Sequence, residues 1–119
     1  MLNGTTDTSV SPRDTVRYYD QVVQKMGQAE TDQFLELFLA AGVGHCFGGV
    51  GPDQVDLLKA LSTWVENGTP PSRQGLLLTK MDASQKVTMT RPMCKHPAYP
   101  RYKGTGDVND AASFTCSTE

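Results

Sequence analysis

This sequence predicts an α/β layer fold, on three observations. Helical and strand-like patterns alternate: an amphipathic stretch from Pro12 to Met26, a short apolar run from Phe34 to Ala40, and a second amphipathic stretch from Val55 to Val65. That order belongs to layered α/β structure rather than to a helix bundle. The run Phe34-Leu35-Glu36-Leu37-Phe38-Leu39-Ala40 is brief and mostly apolar, as expected of a strand buried on both faces of a parallel sheet; a short buried helix is the competing reading, which periodicity does not separate. Between the run and the second amphipathic stretch lies the glycine-rich segment Gly42 to Pro52. Such a loop turns sharply and presents its one large polar side chain, His45, to the surroundings.

The length of 119 residues suits one domain and is too short for two. With 20% charged residues and a formal net charge of −2, no basic face marks a nucleic-acid binder. The longest apolar run falls far short of the ~20 residues of a membrane span. Met1 to Asp7 is polar and lacks the basic and apolar regions of a signal peptide.

Ser11-Pro12-Arg13-Asp14 reads as a helix start: Ser11 caps, Pro12 suits the first turn, and Asp14 favours the positive helix end. Val16, Tyr19, Val22, Val23 and Met26 recur at helical spacing, and Gly27 supplies the stop. Residues 28–33 are polar and expected to turn. After the glycine loop, Asp53 or the Gly51-Pro52 turn starts a second helix. Its expected buried stripe is Val55, Leu58, Leu61, Trp64 and Val65, and Gly68 with Pro70-Pro71 ends it. Gly75 to Lys80 and Lys86 to Thr90 are expected strands around the polar turn 81–85. The tail from Arg91, rich in Pro, Gly and Tyr, is expected to be irregular, with a short helical turn near Asp110 to Phe114. There is no internal repeat and no low-complexity segment.

His45 sits just past the carboxyl end of the expected parallel strand, where α/β sheets build their active sites. Asn3-Gly4-Thr5-Thr6-Asp7 is a similar turn-rich stretch that offers an acid ahead of the first helix. Acid followed by histidine matches the last two members of the chain order Ser, acid, His in α/β-hydrolases. On residue type alone, His45 is a base or a satisfied structural histidine, and Asp7 is its partner or a turn former at a helix start. Asp14 and Asp53 are better explained as helix-start residues, and Glu36 would have to emerge from a buried edge. The glycine spacing misses G-x-G-x-x-G, and no G-x-x-x-x-G-K-[ST] exists, which disfavours nucleotide binding. A zinc site from His45, Cys46, Cys94 and His96 is disfavoured because adjacent residues chelate poorly and no Cys-x-x-Cys occurs. Cys46 is a poor nucleophile for His45, since adjacent residues rarely aim at one another. Three cysteines are an odd count: in an oxidising compartment Cys94 and Cys116 can pair, leaving Cys46 to seek a partner elsewhere. Asn3-Gly4-Thr5 and Asn67-Gly68-Thr69 are glycosylation sequons.

Several separate motifs resemble the tannase and feruloyl esterase family. They are Gly42-Val43-Gly44-His45-Cys46-Phe47-Gly48-Gly49, Trp64-Val65-Glu66-Asn67-Gly68-Thr69-Pro70-Pro71, Arg91-Pro92-Met93-Cys94, Tyr102-Lys103-Gly104-Thr105-Gly106-Asp107 and Ala111-Ala112-Ser113-Phe114-Thr115-Cys116. The opening Gly4-x-x-Asp7, with Pro12 and Tyr18-Tyr19, is similar to the segment bearing the family's catalytic acid. The motifs run in the family's order over essentially the whole chain.

The resemblance implies the C-terminal portion of an α/β-hydrolase fold: few parallel strands with flanking helices, an incomplete sheet and an irregular, disulfide-pinned tail. Residues 1–119 would be a single partial domain with an acid loop at 3–10, a histidine loop at 42–52 and the tail at 91–119. The family's serine follows a cysteine in a Gly-Cys-Ser-x-Gly elbow, and a lid is inserted between serine and acid; neither elbow nor lid falls within this sequence. The implied activity is hydrolysis of aromatic acid esters, such as gallates, hydroxycinnamates or terephthalate half-esters, with His45 as general base and Asp7 as its orienting acid. Cys94 would pair with Cys116, and Cys46 with the cysteine before the serine. No cofactor is implied, because the family's calcium belongs to the lid. The expected partner is an aromatic ester substrate, without nucleic acid or membrane, in a secreted or periplasmic setting. Alone, the chain is expected to be inactive, with exposed apolar surface and a tendency to self-associate. The competing reading is a non-catalytic, stand-alone interaction module with an esterase-like shape.

Overall fold

The computed structural model describes residues 1–119. Two short strands, β1 (Leu2–Gly4) and β2 (Phe38–Ala40), pair in parallel, with Gly4 opposite Ala40. The crossover between them carries α1 (Pro12–Met26) and the single turn α2 (Gln28–Thr31). The glycine loop follows β2 and leads to α3 (Leu57–Asn67). A 3-10 turn (Pro71–Arg73) then precedes the antiparallel pair β3 (Leu77–Met81) and β4 (Val87–Pro92). The tail forms a second antiparallel pair, β5 (Tyr99–Tyr102) with β6 (Phe114–Ser117), and a 3-10 turn at Ala111–Ser113.

Helix α1 begins and ends where its residues dictate. Ser11 Oγ accepts from the Asp14 N–H, Pro12 opens the first turn, and Gly27, at φ 87°, closes the helix with its N–H on the Val23 carbonyl. Tyr19 is buried and packs edge-on against His96.

Four local expectations are corrected. The strand expected over Phe34–Ala40 is confined to Phe38–Ala40, because the Phe34 and Leu35 N–H groups both donate to the Thr31 carbonyl and extend the α2 turn instead. Residues 28–31, expected to turn, are helical. Residues 2–4 form a strand, although Asn3 and Gly4 have little strand preference; pairing with β2 overrides propensity. The tail contains a paired hairpin where irregular chain was expected. The expected disulfide between Cys94 and Cys116 is present, with a Cα–Cα distance of 5.4 Å. Closing a span of 22 residues contributes about 3 kcal/mol in the chain-entropy picture.

Helix α3 departs from expectation in two further ways. Its cap is Asp56, whose Oδ1 accepts from the Lys59 N–H at 2.9 Å, so Asp53 and the Gly51-Pro52 turn lie outside the helix. Its expected inward stripe holds only in part: Val55, ahead of the helix, packs on the core and Trp64 is half-buried, but Leu58, Leu61 and Val65 are exposed, Leu58 and Val65 at 79% and 77%, and Ala60 is the buried helix residue. The small core lies elsewhere, formed by Phe38, Ala40, Val43, Leu78 and Met93 with Leu2, Val55 and Leu76 packed against it. None of these residues belongs to the helix, whose wide apolar face is left in solvent. No helix is long and apolar enough to cross a membrane.

Glu36 lies just before β2 and is buried. Its carboxylate accepts from the Ser72 N–H and hydroxyl and lies 3.6 Å from Lys95 Nζ. Lys95 also bridges to Asp32 at 2.7 Å. This buried acid ties α2, the 3-10 turn and the tail to the entry of β2, and its side-chain contacts are Ser72 and Lys95.

Candidate active site

The parallel register decides where the two loops emerge. Gly4 and Ala40 are paired residues at the carboxyl ends of β1 and β2, so the segments that follow leave the sheet side by side. Hydrogen bonds then lock one loop to the other. The Thr5 N–H donates to the Ala40 carbonyl at 3.0 Å, the Thr6 N–H and hydroxyl donate to the Val43 carbonyl at 3.1 and 2.8 Å, and the Gly42 N–H donates to Thr5 Oγ1 at 2.8 Å. The approach is so close that a Cβ on Gly4 would collide with the Val43 and Gly44 carbonyl oxygens.

The result is a hydrogen-bonded pair. His45 Nδ1 lies 2.9 Å from Asp7 Oδ2. The Asp7 side chain is 4% exposed and that of His45 is 52% exposed. Oδ1 of Asp7 accepts from the Ser9 and Val10 N–H groups at 2.8 and 2.9 Å, and Oδ2 also accepts from Asn3 Nδ2 at 3.2 Å. The Val10 N–H is the largest cause holding the Asp7 carboxyl down to about 2; burial opposes it, and the hydrogen bonds from His45 and Ser9 and the charge of His45 add to it. Asp7 is therefore an anion throughout the neutral range.

An ionised carboxylate only accepts, so His45 donates Nδ1–H to it and carries the lone pair of its neutral form on Nε2. Nε2 makes no hydrogen bond within the chain. The ring borders an open cavity of about 460 Å³, lined also by Asn3, Asp7, Val43, Cys46 and Leu57. A base oriented by a buried anion, with one ring nitrogen unbonded and the residue lining a cavity beyond the carboxyl ends of parallel strands, is equipped for proton transfer.

The loop bearing His45 is braced from outside. The Gly44 N–H donates to the Gly48 carbonyl at 2.9 Å. The Gly48 N–H donates to Asp53 Oδ2 at 2.7 Å, and Lys80 Nζ donates to the Gly49 carbonyl at 2.6 Å. Asp53, expected at a helix start, thus holds the histidine loop. Cys46 is a free, exposed thiol at φ 64°, an uncommon backbone conformation for a side chain with a Cβ. Cys94 is spent in the disulfide and His96 packs on Tyr19; no cluster of three or more His, Cys, Asp or Glu side chains has metal-binding geometry. Of the sequons, Asn67 is exposed, but Asn3 is 7% exposed with its amide engaged inside the fold.

A family model described as tannase and feruloyl esterase matches residues 1–117. The chain belongs to the tannase and feruloyl esterase family. A probable feruloyl esterase of Arthroderma benhamiae is 41% identical over 121 residues, which cover 98% of this chain and 22% of that protein. A mono(2-hydroxyethyl) terephthalate hydrolase of Piscinibacter sakaiensis is 37% identical over 117 residues, covering 98% of this chain and 19% of that one. The crystal structure of feruloyl esterase B from Aspergillus oryzae superposes with a TM-score of 0.85 at 27% identity, over 98% of this chain and 26% of the other. The chain thus spans about a fifth of the length of the curated family relatives it matches.

Sequence reasoning missed Asn3 and the bracing role of Asp53. The signal for Asn3 was its place four residues before Asp7 in a turn-rich segment, where Asn side chains commonly bond to local groups. Nothing in the sequence joined Asp53 to the loop rather than to the helix.

Proposed function

We propose that this chain supplies the acid and base of a serine carboxylic-ester hydrolase acting on esters of aromatic acids. The observation that carries the reading is the Asp7–His45 hydrogen bond at 2.9 Å, with His45 lining a cavity and its far ring nitrogen unbonded within the chain. In this mechanism His45 Nε2 takes the proton of a serine hydroxyl as the oxygen attacks the ester carbonyl, and returns it to the departing alcohol or phenol. Asp7 keeps the proton on Nδ1 in the resting state and stabilises the imidazolium that forms. No serine in this sequence stands in Gly-x-Ser-x-Gly, so the nucleophile comes from outside these 119 residues.

Support for the substrate class comes from the relatives, two of which are named for a feruloyl ester and a terephthalate half-ester. The parallel β1–β2 pair, with acid and histidine after its carboxyl ends, supports assignment to the closing part of an α/β-hydrolase sheet. The exposed Cys46 beside the base suits a disulfide to a cysteine next to the nucleophile, which would tie the base loop to the serine. The Cys94–Cys116 bond supports a secreted or periplasmic setting.

The test is a chimera in which residues 1–119 replace the matched segment of the Arthroderma benhamiae relative, assayed on a chromogenic hydroxycinnamate ester. Turnover is expected from the chimera and none from the chain alone. His45→Ala is expected to lower the chimera's kcat by at least ~10³. Turnover that survives the substitution removes the role given to His45.

A further inference from the structure

The acid of the proposed pair is itself held from a distance. Asp7 Oδ2 receives two donors, His45 Nδ1–H and Asn3 Nδ2–H. Oδ1 receives two backbone N–H groups. Four donors on two oxygens fix both the position and the rotation of the carboxylate. Of the four, the two N–H groups belong to the acid's own loop, whereas Asn3 belongs to β1 and is anchored elsewhere. Thr15 Oγ1, one turn into α1, lies 2.6 Å from Asn3 Oδ1.

The chemistry of the groups fixes the direction of this chain of bonds. An ionised Asp7 only accepts, so the amide nitrogen of Asn3 faces it and the amide oxygen faces Thr15. That oxygen accepts, so the single hydroxyl proton of Thr15 goes to it at 2.6 Å rather than to the Ser11 carbonyl at 3.3 Å. Were the hydroxyl proton turned away, the amide could flip and bring two acceptor oxygens together. Asn3 is buried at 7% exposure and its remaining contact is a long one, 3.4 Å from Nδ2 to the Gly4 carbonyl. The ionisable side chain that faces Asp7 is His45.

We infer that Asn3 and Thr15 are positioning residues for the acid–base pair, a relay running from the Thr15 hydroxyl through the Asn3 amide to the Asp7 oxygen that holds His45. The relay links the first helix to the imidazole. It has two effects: it points the remaining lone pair of Oδ2 at Nδ1, and it spreads the charge of the carboxylate so that the anion persists at the buried site. The inference rests on the proposed acid–base roles of Asp7 and His45, but its test does not require turnover.

The experiment is NMR titration of the 119-residue chain, following the Asp7 carboxyl carbon and the His45 ring nitrogens. Removing a donor from an anion raises its pKa. Asn3→Leu is expected to raise the Asp7 midpoint by about one pH unit, a tenfold change in proton affinity, and Thr15→Val, which acts through Asn3, to raise it by a smaller but resolvable amount. Both are also expected to lower the Nδ1–H share of neutral His45. Thr15→Ser keeps the hydroxyl and is expected to titrate as the parent. Thr15→Val is near-isosteric at a half-buried position, so it decides the matter if Asn3→Leu fails to fold. Folded variants that titrate as the parent overturn the relay, and so does an equal shift in Thr15→Val and Thr15→Ser, which would reflect packing alone. Retained turnover in the His45→Ala chimera would sink the hydrolase reading and leave these midpoints untouched, so the two failures are distinguishable.

Discussion

Asp7 combines burial with ionisation, and that combination gives one residue a distinct share in the acid sensitivity of the fold. A carboxyl whose folded pKa lies below its unfolded value stabilises the fold above the unfolded pKa; that contribution is lost as pH falls through the folded one. Asp7 is lowered from 3.8 to about 2, first by the Val10 N–H. The difference in urea midpoint between the parent and Asp7→Asn is therefore expected to be nearly full above about pH 4 and to shrink steadily to a small remainder near pH 2. Asp32 and Asp82 are also lowered, by hydrogen bonds that oppose or outweigh burial, but they are common to both proteins and cancel in the comparison. A difference that stays constant down to pH 2 would refute the account. At this scale the pairing of His45 with Asp7 was suggested by the order of acid before histidine, since a lone imidazole in a glycine loop is by itself as readily structural; the structure brings the two within 2.9 Å. Asn3 was not legible, because its role depends on Thr15, which is brought to it only when α1 packs against β1.

Among the elements, the legible ones are those whose ends are written in local chemistry. Ser11-Pro12 and Gly27 bound α1 in sequence and in structure alike, since caps act on neighbouring backbone groups. β1 was invisible because three residues, two of them Asn and Gly, carry no periodicity; its strand character is conferred by β2. The start of α3 was misplaced because Asp53 and Asp56 are equally good caps on paper. In the folded chain the carboxylates part company: Asp56 takes the Lys59 N–H and Asp53 takes the Gly48 N–H. Substitution should separate their effects. Asp56→Ala is expected to cost about 1 kcal/mol of stability through the lost cap, read as a lower denaturation midpoint with unchanged His45 resonances. Asp53→Ala is expected to leave the helix signal intact and to shift and broaden the His45 and Gly48 resonances, because it frees the loop. Equal effects of the two on the loop would show that the cap and the brace are not distinct.

The whole molecule carries more apolar surface than its core can use. Leu57, Leu58, Leu61 and Val65 line one side of α3, all exposed, and Leu57, Leu61 and Trp64 share a hollow with Met1 and Leu2 of the β1 end. β1 pairs on one side with β2 and has no strand on the other. An apolar helix face beside an unpaired strand edge is a surface open to association: the face lacks packing, and the edge, solvated by water, is free to pair with another chain. The exposed part of the α3 stripe, Leu58, Leu61 and Val65, has the same origin: the pattern is apolar, but two short strands offer too little surface to cover it. Concentration-dependent self-association of the isolated chain is therefore expected, visible in sedimentation velocity as a weight-average mass above the monomer that rises with loading. Leu58→Glu with Val65→Glu places two charges on the most exposed positions of the face without touching Ala60, the buried contact of the helix. That variant is expected to sediment closer to the monomer at equal loading while keeping its helical circular dichroism. A parent chain that stays monomeric at every loading and melts in one sharp cooperative step would contradict this, and would favour the stand-alone interaction module over a hydrolase segment that needs the rest of a sheet.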